Sequence, residues 1–216
     1  YTGQRSGNFR QQMRAKRRRF ESQPNARFFF CKTAEEVQQA MMCLFRFNPE
    51  RWEGRGDQSA FADCRFQQFH LNLAQRLLRQ GCLDLCCLES DREIIAVLYS
   101  FIHGNKVYYY NAGFDPAWAK GSVGSVLMAY HIEHAFDRRL DEYDFLRGRH
   151  SYKSSWTPHE RRQRDVLILQ RHARAWAWHG LQRVNQFVHR SVKPHVPRRV
   201  RRRLVRLLRP TLSNNL

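Results

Sequence analysis

One segment of the chain brings together several residue types that can bind or act on a ligand. Asp144–Pro158 reads DFLRGRHSYKSSWTP, so a short apolar stretch is followed by arginine, glycine, histidine, lysine and two aromatic residues. The apolar stretch predicts a buried strand, and open α/β sheets bind ligands at the carboxyl ends of their strands. Arg147 and Lys153 are suited to clamp a phosphate or carboxylate, because arginine offers a planar fork of donors and lysine a point charge. Asp144 is either a general base or a partner of Arg147.

A second segment is suited to bind an anion. Residues 119–130 read AKGSVGSVLMAY, which places small residues at 121, 122, 124 and 125, at the predicted start of a helix that follows a strand. Unpaired N–H groups and the positive end of the helix dipole favour a phosphate group at such a position. A pyrophosphate is the expected ligand, because small residues let it approach the backbone. The alternative is an ordinary glycine-rich connection between a strand and a helix.

The remaining patterns favour neither a metal site nor a covalent nucleophile. His131 and His134 are three residues apart, whereas a helical zinc pair needs a spacing of four. We therefore predict no metal. The chain also contains no Gly-x-Ser-x-Gly segment of the kind that carries a serine nucleophile.

The charge of the protein is concentrated at its two ends. The 216 residues carry a net charge of +19. Residues 1–20 hold seven Lys or Arg and no acid, and residues 161–216 hold fifteen against the single acid Asp165. Residues 21–160 are nearly neutral, with sixteen basic and eighteen acidic side chains. Basic ends on a neutral body indicate a polyanionic partner, such as an anionic membrane, a nucleic acid or a phosphate-bearing substrate.

Hydrophobic periodicity predicts an α/β layer fold with a mixed sheet. Helices are predicted at 5–22, from Thr33 to near residue 50, at 63–80 and at 122–139. Strands are predicted at 26–32, 82–89, 93–103, 106–114 and 142–146, with a weaker strand at 165–169 and two basic helices near 171–190 and 197–209. We divide the chain into a basic linker helix at 1–22, a main domain at 23–170 and a basic amphipathic helical tail at 171–216.

Four segments together resemble the GNAT-like, FemAB-related acyltransferases of the CelD type, which are associated with cellulose or exopolysaccharide biosynthesis. They are NFR…R…RR at Asn8–Arg19, RWEGRG at Arg51–Gly56, the segment VYYYNAGFDPAWAKGSVGSVLMAY at Val107–Tyr130, and DFLRG…YK..W at Asp144–Trp156. The resemblance covers most of residues 5–157. It implies a GNAT-like acyl-CoA N-acyltransferase fold with a mixed, mostly antiparallel sheet, to which the basic C-terminal helices are appended.

The resemblance also implies an activity and a set of site residues. An acyl group, expected to be acetyl, would pass from acyl-CoA to an amine or hydroxyl of a saccharide or lipid-linked envelope precursor. The pyrophosphate of CoA would be held by Gly121, Ser122, Val123, Gly124 and Ser125, with Val123 where the family usually has proline. The acceptor would be bound by Arg147, Gly148, Tyr152, Lys153 and Trp156, of which the two aromatic residues are also interpreted as wall packing.

The resemblance specifies the general base and the acyl donor less closely. The family often has an acidic pair after the glycine, where this chain has Arg149 and His150. Asp144, His150 or a chain of water molecules is therefore expected to take the proton. Two alternatives keep the fold: a FemAB-like transferase that uses aminoacyl-tRNA, and a non-catalytic lobe that docks a polysaccharide synthase at the membrane. The family commonly has another lobe before the NFR helix, so this chain, which begins with Tyr1, is expected to be the C-terminal lobe.

Cysteine usage and the basic tail predict where the protein resides. The six cysteines show no Cys-x-x-Cys pair and no zinc spacing, which predicts reduced thiols and a cytoplasmic location. Residues 198–210 carry seven arginines and a stripe formed by Val200, Leu204, Leu207 and Leu208. Such a helix favours peripheral attachment to the anionic inner face of a membrane over binding to nucleic acid.

Overall fold

The computed structural model describes residues 6–53, 60–148, 151–162, 164, 166, 168 and 172–187. The chain divides into two units, Tyr1–Trp156 and Thr157–Leu216. The first unit contains a central sheet with helices on both faces, and the second contains one described helix.

The described strands form one sheet in their order along the chain. They are β1 (Arg27–Phe30), β2 (Leu83–Ser90), β3 (Glu93–His103), β4 (Lys106–Phe114) and β5 (Glu142–Asp144). The first four strands pair antiparallel with their neighbours, whereas β5 pairs parallel with β4. This arrangement confirms the predicted mixed, mostly antiparallel sheet.

Two tight turns make β2, β3 and β4 a meander. Asp91 and Arg92 both have positive φ, of 50° and 65°, and Gly104 and Asn105 have φ of 54° and 58°. Two consecutive residues with positive φ are the signature of the turn whose twist matches that of the flanking antiparallel strands. The positions of both turns agree with the sequence prediction.

The helices begin where the sequence provides caps. Helix α1 covers Gly7–Glu21, α2 covers Ala34–Glu53, α3 covers Cys64–Arg79 and α4 covers Val123–Asp137. Before α2, the Thr33 Oγ1 accepts from the Glu36 N–H at 3.2 Å and Glu36 Oε2 accepts from the Thr33 N–H at 3.2 Å. This is the predicted capping box. Before α3, Asp63 Oδ1 accepts from the Arg65 N–H at 2.8 Å.

The two faces of the sheet have separate cores. On one face, α1 and α4 contribute Met13, Phe20, Val126 and Leu127 to a cluster that includes Leu98 of β3. On the other face, the buried side chains of α2 and α3 pack against β2 and β3. Alternate residues of the central strands thus supply both cores, which is the pattern of a sheet covered on its two faces.

Helix α1 is held on α4 by a polar network as well as by its apolar residues. Arg17 Nη1 donates to Glu133 Oε2 at 2.6 Å, and the guanidinium lies 4.1 Å from the ring centre of Tyr130. The Tyr130 hydroxyl donates to Glu21 Oε1 at 2.7 Å. Burial, together with this hydrogen bond, raises the pKa of Tyr130 to about 12. The described part of α1 is therefore an integral part of the first unit.

The segment after the sheet differs from its prediction. The weak strand predicted at 165–169 does not form at the two positions that the structure describes, since Val166 and Ile168 are exposed and lie outside any strand. Helix α6 covers Ala173–Phe187, after the short helix α5 at Ser151–Trp156. The second predicted basic helix, 197–209, lies outside the described residues. None of the described helices is long and apolar enough to cross a membrane.

Candidate active site

The start of α4 presents main-chain N–H groups that no side chain caps. A 3₁₀ helix, Pro116–Gly121, leads from β4 to Ser122, whose φ of 55° is left-handed. The Ser122 carbonyl accepts from the N–H groups of Ser125 at 2.9 Å and Val126 at 3.2 Å, while its side chain makes no cap hydrogen bond. The first N–H groups of a helix have no partner inside the helix. This turn is therefore available to bind an anion.

Small residues let the start of α4 lie directly on the end of β4. A Cβ added at Gly124 would be 3.1 Å from Cδ1 of Phe114 and 3.5 Å from its Cε1. The side chain of Val123 is buried in the core. Of the five residues predicted to bind the donor, Val123 can therefore contribute only its main chain, whereas Gly121, Ser122, Gly124 and Ser125 are half-buried at the turn.

Strands β4 and β5 separate soon after they pair. Parallel pairing joins Lys106 to Glu142, Val107 to Tyr143 and Tyr108 to Asp144. Beyond Tyr108, β4 continues to Phe114, beside the start of α4, while β5 has ended. At a rise of about 3.3 Å per residue, the end of β5 and the start of α4 lie roughly 20 Å apart along β4. The part of β4 beyond its pairing with β5 thus connects the two predicted halves of the site.

The loop after β5 folds around Lys153. Asp144 Oδ1 accepts from the Leu146 N–H at 2.7 Å, and Leu146 has a positive φ of 56°. Lys153 Nζ donates to the carbonyls of Phe145 at 2.7 Å, Leu146 at 3.3 Å and Arg147 at 2.9 Å. These contacts match the three donors of an ammonium group. Strand β5 consequently ends at Asp144, two residues before the predicted end.

Burial lowers the pKa of Lys153, while the nearby carboxylate of Asp144 opposes this shift. The predicted clamp role of Lys153 would require its ammonium group to leave at least one of these carbonyls. Arg147 and Gly148 are exposed next to it, at the surface of the loop. Asp144, Lys153 and the main chain of Arg147 are thus close together, as the sequence suggested. His150 lies outside the described residues.

We expect Lys153→Met to open this loop. The exposed Arg147 is a potential trypsin site, and the variant removes all three hydrogen bonds that hold the preceding carbonyls. Because a hydrogen bond to a charged group contributes about 1.5–3 kcal/mol, cleavage after Arg147 should become at least about tenfold faster. Timed digestion followed by mass spectrometry measures this rate. Lys32→Met, at an exposed lysine, is the matched control, and equal rates in both variants would contradict the anchoring role.

The two predicted aromatic residues pack mainly inside the first unit. Trp156 is 5% exposed, and its ring lies edge-on to Phe9 of α1 with ring centres 5.3 Å apart. The half-buried ring of Tyr152 lies 6.5 Å from that of Tyr109. These contacts fix the short helix α5 against the core, which agrees with the wall-packing interpretation.

A histidine–tyrosine pair that the sequence did not predict lies on the face of the sheet opposite to α4. The Tyr110 hydroxyl of β4 and Nε2 of His70 on α3 are 3.1 Å apart. His70 is 3% exposed and Tyr110 is 37% exposed. Burial lowers the pKa of His70 and raises that of Tyr110. In the sequence, His70 is only a polar residue within the apolar stripe of a predicted helix, so no local signal marked it.

A second histidine network lies deep in the core. His131 Nε2 donates to Asp84 Oδ2 at 2.7 Å, and Ser100 Oγ lies 3.2 Å from the same nitrogen. His131 is 1% exposed and Ser100 is fully buried. A substrate cannot reach these groups, so this acid–histidine–serine arrangement is structural. In the described part of the chain, no three His, Cys, Asp or Glu side chains are grouped to hold a metal ion.

An antiparallel meander, a fifth strand parallel to its last strand and a helix that connects the two are features of the fold of GNAT acyltransferases. The acetyltransferase (GNAT) domain family matches residues 7–154. The chain therefore belongs to this family and is an acetyltransferase. No curated protein matches the sequence.

Solved structures with the same fold are distant in sequence. A predicted acetyltransferase with acetyl-CoA from Clostridium acetobutylicum is 10% identical, with a TM-score of 0.50 over 68% of this chain and 99% of that one. A possible acetyltransferase from Clostridium difficile 630 is also 10% identical, with a TM-score of 0.49 over 67% and 99%. An aminoglycoside acetyltransferase from a soil metagenomic sample, solved with sisomicin, is 14% identical, with a TM-score of 0.47 over 68% and 97%.

Proposed function

We propose that the protein transfers an acetyl group from acetyl-CoA to an amine or hydroxyl group of a saccharide or cell-envelope precursor. The observation that carries the donor half is the uncapped start of α4 at the end of β4, which extends past its parallel pairing with β5. That geometry suits a ligand with a pyrophosphate at one end and a long arm that leads to the reacting carbonyl. Coenzyme A has this form.

The donor would lie along β4. The N–H groups of Val123 and Gly124, beside Gly121, Ser122 and Ser125, would bind the pyrophosphate, and Gly124 lets the helix lie close to Phe114. The thioester would then lie near the point where β5 ends, beside Tyr109 and Tyr110. Main-chain N–H groups placed beside the thioester would stabilise the oxyanion of the tetrahedral intermediate.

The acceptor would approach the edge of β4 between the loop after β5, on one face of the sheet, and exposed aromatic residues, on the other. Arg147 and Gly148 are exposed on the loop, and Phe69 and Tyr110 are 58% and 37% exposed. Aromatic faces suit a sugar ring, because they offer an apolar surface with a polar edge. The resemblance to CelD-type proteins supports a saccharide acceptor. Asp144 and His150 are the two residues predicted from the sequence as the base. One carboxylate oxygen of Asp144 accepts a hydrogen bond from the Leu146 N–H.

The direct test is a calorimetric titration with CoA and acetyl-CoA, followed by an assay of CoA release with glucosamine and with glucose as probe acceptors. We expect both CoA compounds to bind with similar affinity, and at least one sugar to accelerate CoA release. Binding of aminoacyl-tRNA without binding of CoA would favour the FemAB-like alternative. CoA binding without transfer to either sugar would argue against a saccharide acceptor.

A further inference from the structure

The position of Tyr110 is set by an irregularity in the sheet. Tyr99 of β3 pairs with Asn111, but the next residue, Ser100, pairs with Tyr109. Tyr110 is therefore the extra residue of a β-bulge. Bulges change the direction of a side chain and are common beside active sites. This bulge lies two residues beyond Tyr108, the last residue of β4 that pairs with β5, and so where β4 extends past its parallel partner.

The hydroxyl of Tyr110 is directed to a buried imidazole. It lies 3.1 Å from His70 Nε2, and the ring centres are 5.0 Å apart. His70 comes from α3, on the face of the sheet opposite to α4. A donor bound at the start of α4 and an acceptor beside Tyr110 would therefore reach this part of β4 from opposite faces, an arrangement that suits direct transfer between two substrates.

The surroundings of the Tyr110–His70 pair contain two polar atoms with unused hydrogen-bonding capacity. In the described part of the chain, the buried atoms His70 Nδ1 and the hydroxyl of Tyr99 have no hydrogen-bond partner. The rings of His70 and Tyr99 are 5.8 Å apart. A buried polar atom without a partner is costly and needs a reason. Two such atoms at one imidazole leave this cluster with hydrogen-bonding capacity that a proton transfer could use.

We propose that Tyr110 and His70 accept the proton of the nucleophile, an inference that rests on the proposed acetyl transfer. The amine or hydroxyl group of the acceptor would give its proton to the oxygen of Tyr110, while Tyr110 passes its own proton to His70 Nε2. Tyr110 is the catalytic residue in this scheme, because it touches the acceptor. His70 acts through Tyr110 and is a positioning residue.

The step balances without a further reactant. The nucleophile forms a bond to the acyl carbon, and the carbonyl π electrons move to oxygen. When the carbonyl re-forms, the carbon–sulfur bond breaks and its electron pair leaves on the sulfur of CoA. The proton held by His70 returns through Tyr110 or solvent and neutralises the thiolate, so the products are the acetylated acceptor and CoA.

The surroundings of His70 determine the expected pH dependence. The titratable rings in contact with it are Tyr99 of β3 and Tyr110 of β4, and the other rings around it belong to Phe61, Phe66 and Phe69. Burial lowers its pKa below the usual value of 6.5. His70 therefore stays neutral and able to accept a proton at pH 7, and kcat should fall only when the pH drops through this lowered value.

The test compares Tyr110→Phe and His70→Gln with wild type at saturating acetyl-CoA, with glucosamine and glucose as acceptors. We expect Tyr110→Phe to lower kcat about 100-fold and to leave the Kd for CoA unchanged. His70→Gln can keep the hydrogen bond but cannot take up the proton, so the part of the acid limb that belongs to His70 should disappear. Protonation of the acceptor amine affects both proteins alike, so the ratio of their kcat values is followed against pH. Tyr108→Phe, at a neighbouring tyrosine of β4, is the matched control.

The possible outcomes distinguish a failure of the proton relay through Tyr110 and His70 from a failure of the proposed function. If wild type binds CoA and transfers acetyl groups, but Tyr110→Phe keeps its kcat, the relay is wrong and the proposed function stands. An unchanged acid limb in His70→Gln also overturns the role of His70. If wild type transfers to neither sugar, the proposed function fails and the relay fails with it. A folded Tyr110→Phe variant, shown by an unchanged melting temperature, excludes a structural cause.

Discussion

Replacement of Gly124 by aspartate is expected to abolish binding of CoA. The new carboxylate would lie at the α4 start, where the pyrophosphate is proposed to bind. Two unit charges of the same sign about 4 Å apart repel by roughly 4 kcal/mol near a protein surface. That energy corresponds to a roughly thousandfold weaker Kd. Calorimetric titration with CoA measures the loss.

Two variants at the same position separate charge from bulk. Any side chain at Gly124 must displace the ring of Phe114, since its Cβ would be 3.1 Å from Cδ1. Gly124→Ala therefore reports the steric effect alone, and Gly124→Asn adds the shape of aspartate without its charge. We expect binding to decrease in the order Ala, Asn, Asp, with the largest step between the last two. Equal Kd values for Asn and Asp would show that no anionic group of CoA lies there.

Much of the fold follows from signals that act over a few residues. The capping box at Thr33, the cap at Asp63 and the two positive-φ turns fixed the ends of helices and the meander. Strand β5 ended earlier than predicted, because the Asp144 carboxylate bonds the Leu146 N–H and turns the chain. Here a side-chain hydrogen bond to the main chain replaces continued pairing between strands. The pattern of apolar residues gives no information about such a bond.

The site was only partly visible in the sequence. The small residues at the start of α4 and the position of Lys153 near the end of β5 could be predicted, because both depend on short segments. The carbonyl partners of Lys153 could not, since they require the loop to fold back. The pair of Tyr110 and His70 joins residues forty positions apart. It depends on a bulge in β4 and on how α3 packs, and neither has a local sequence signal.

The buried contact between Asp84 and His131 is expected to dominate the stability of the first unit. His131 Nε2 donates to Asp84 Oδ2 at 2.7 Å, and both side chains are almost fully buried. Asp84→Leu removes the carboxylate, so that Nε2 of the buried imidazole must rely on the weaker contact with Ser100 Oγ, 3.2 Å away. Breaking a buried pair in this way typically lowers the free energy of unfolding by about 3–5 kcal/mol. Urea unfolding followed by circular dichroism measures the change.

The double variant Asp84→Leu/His131→Leu decides whether the pair itself is the cause. With both polar groups replaced by apolar ones of similar size, no buried polar atom is left unpaired at these two positions. The free energy of unfolding should therefore recover to within about 1 kcal/mol of wild type, or exceed it. Arg138→Ala is the matched control, because Arg138 also contacts the Asp84 carboxylate, at 3.5 Å from Oδ1, but is 43% exposed. This variant should lower the free energy of unfolding by less than about 1 kcal/mol. A double variant as unstable as Asp84→Leu would show that Asp84 stabilises the sheet independently of His131.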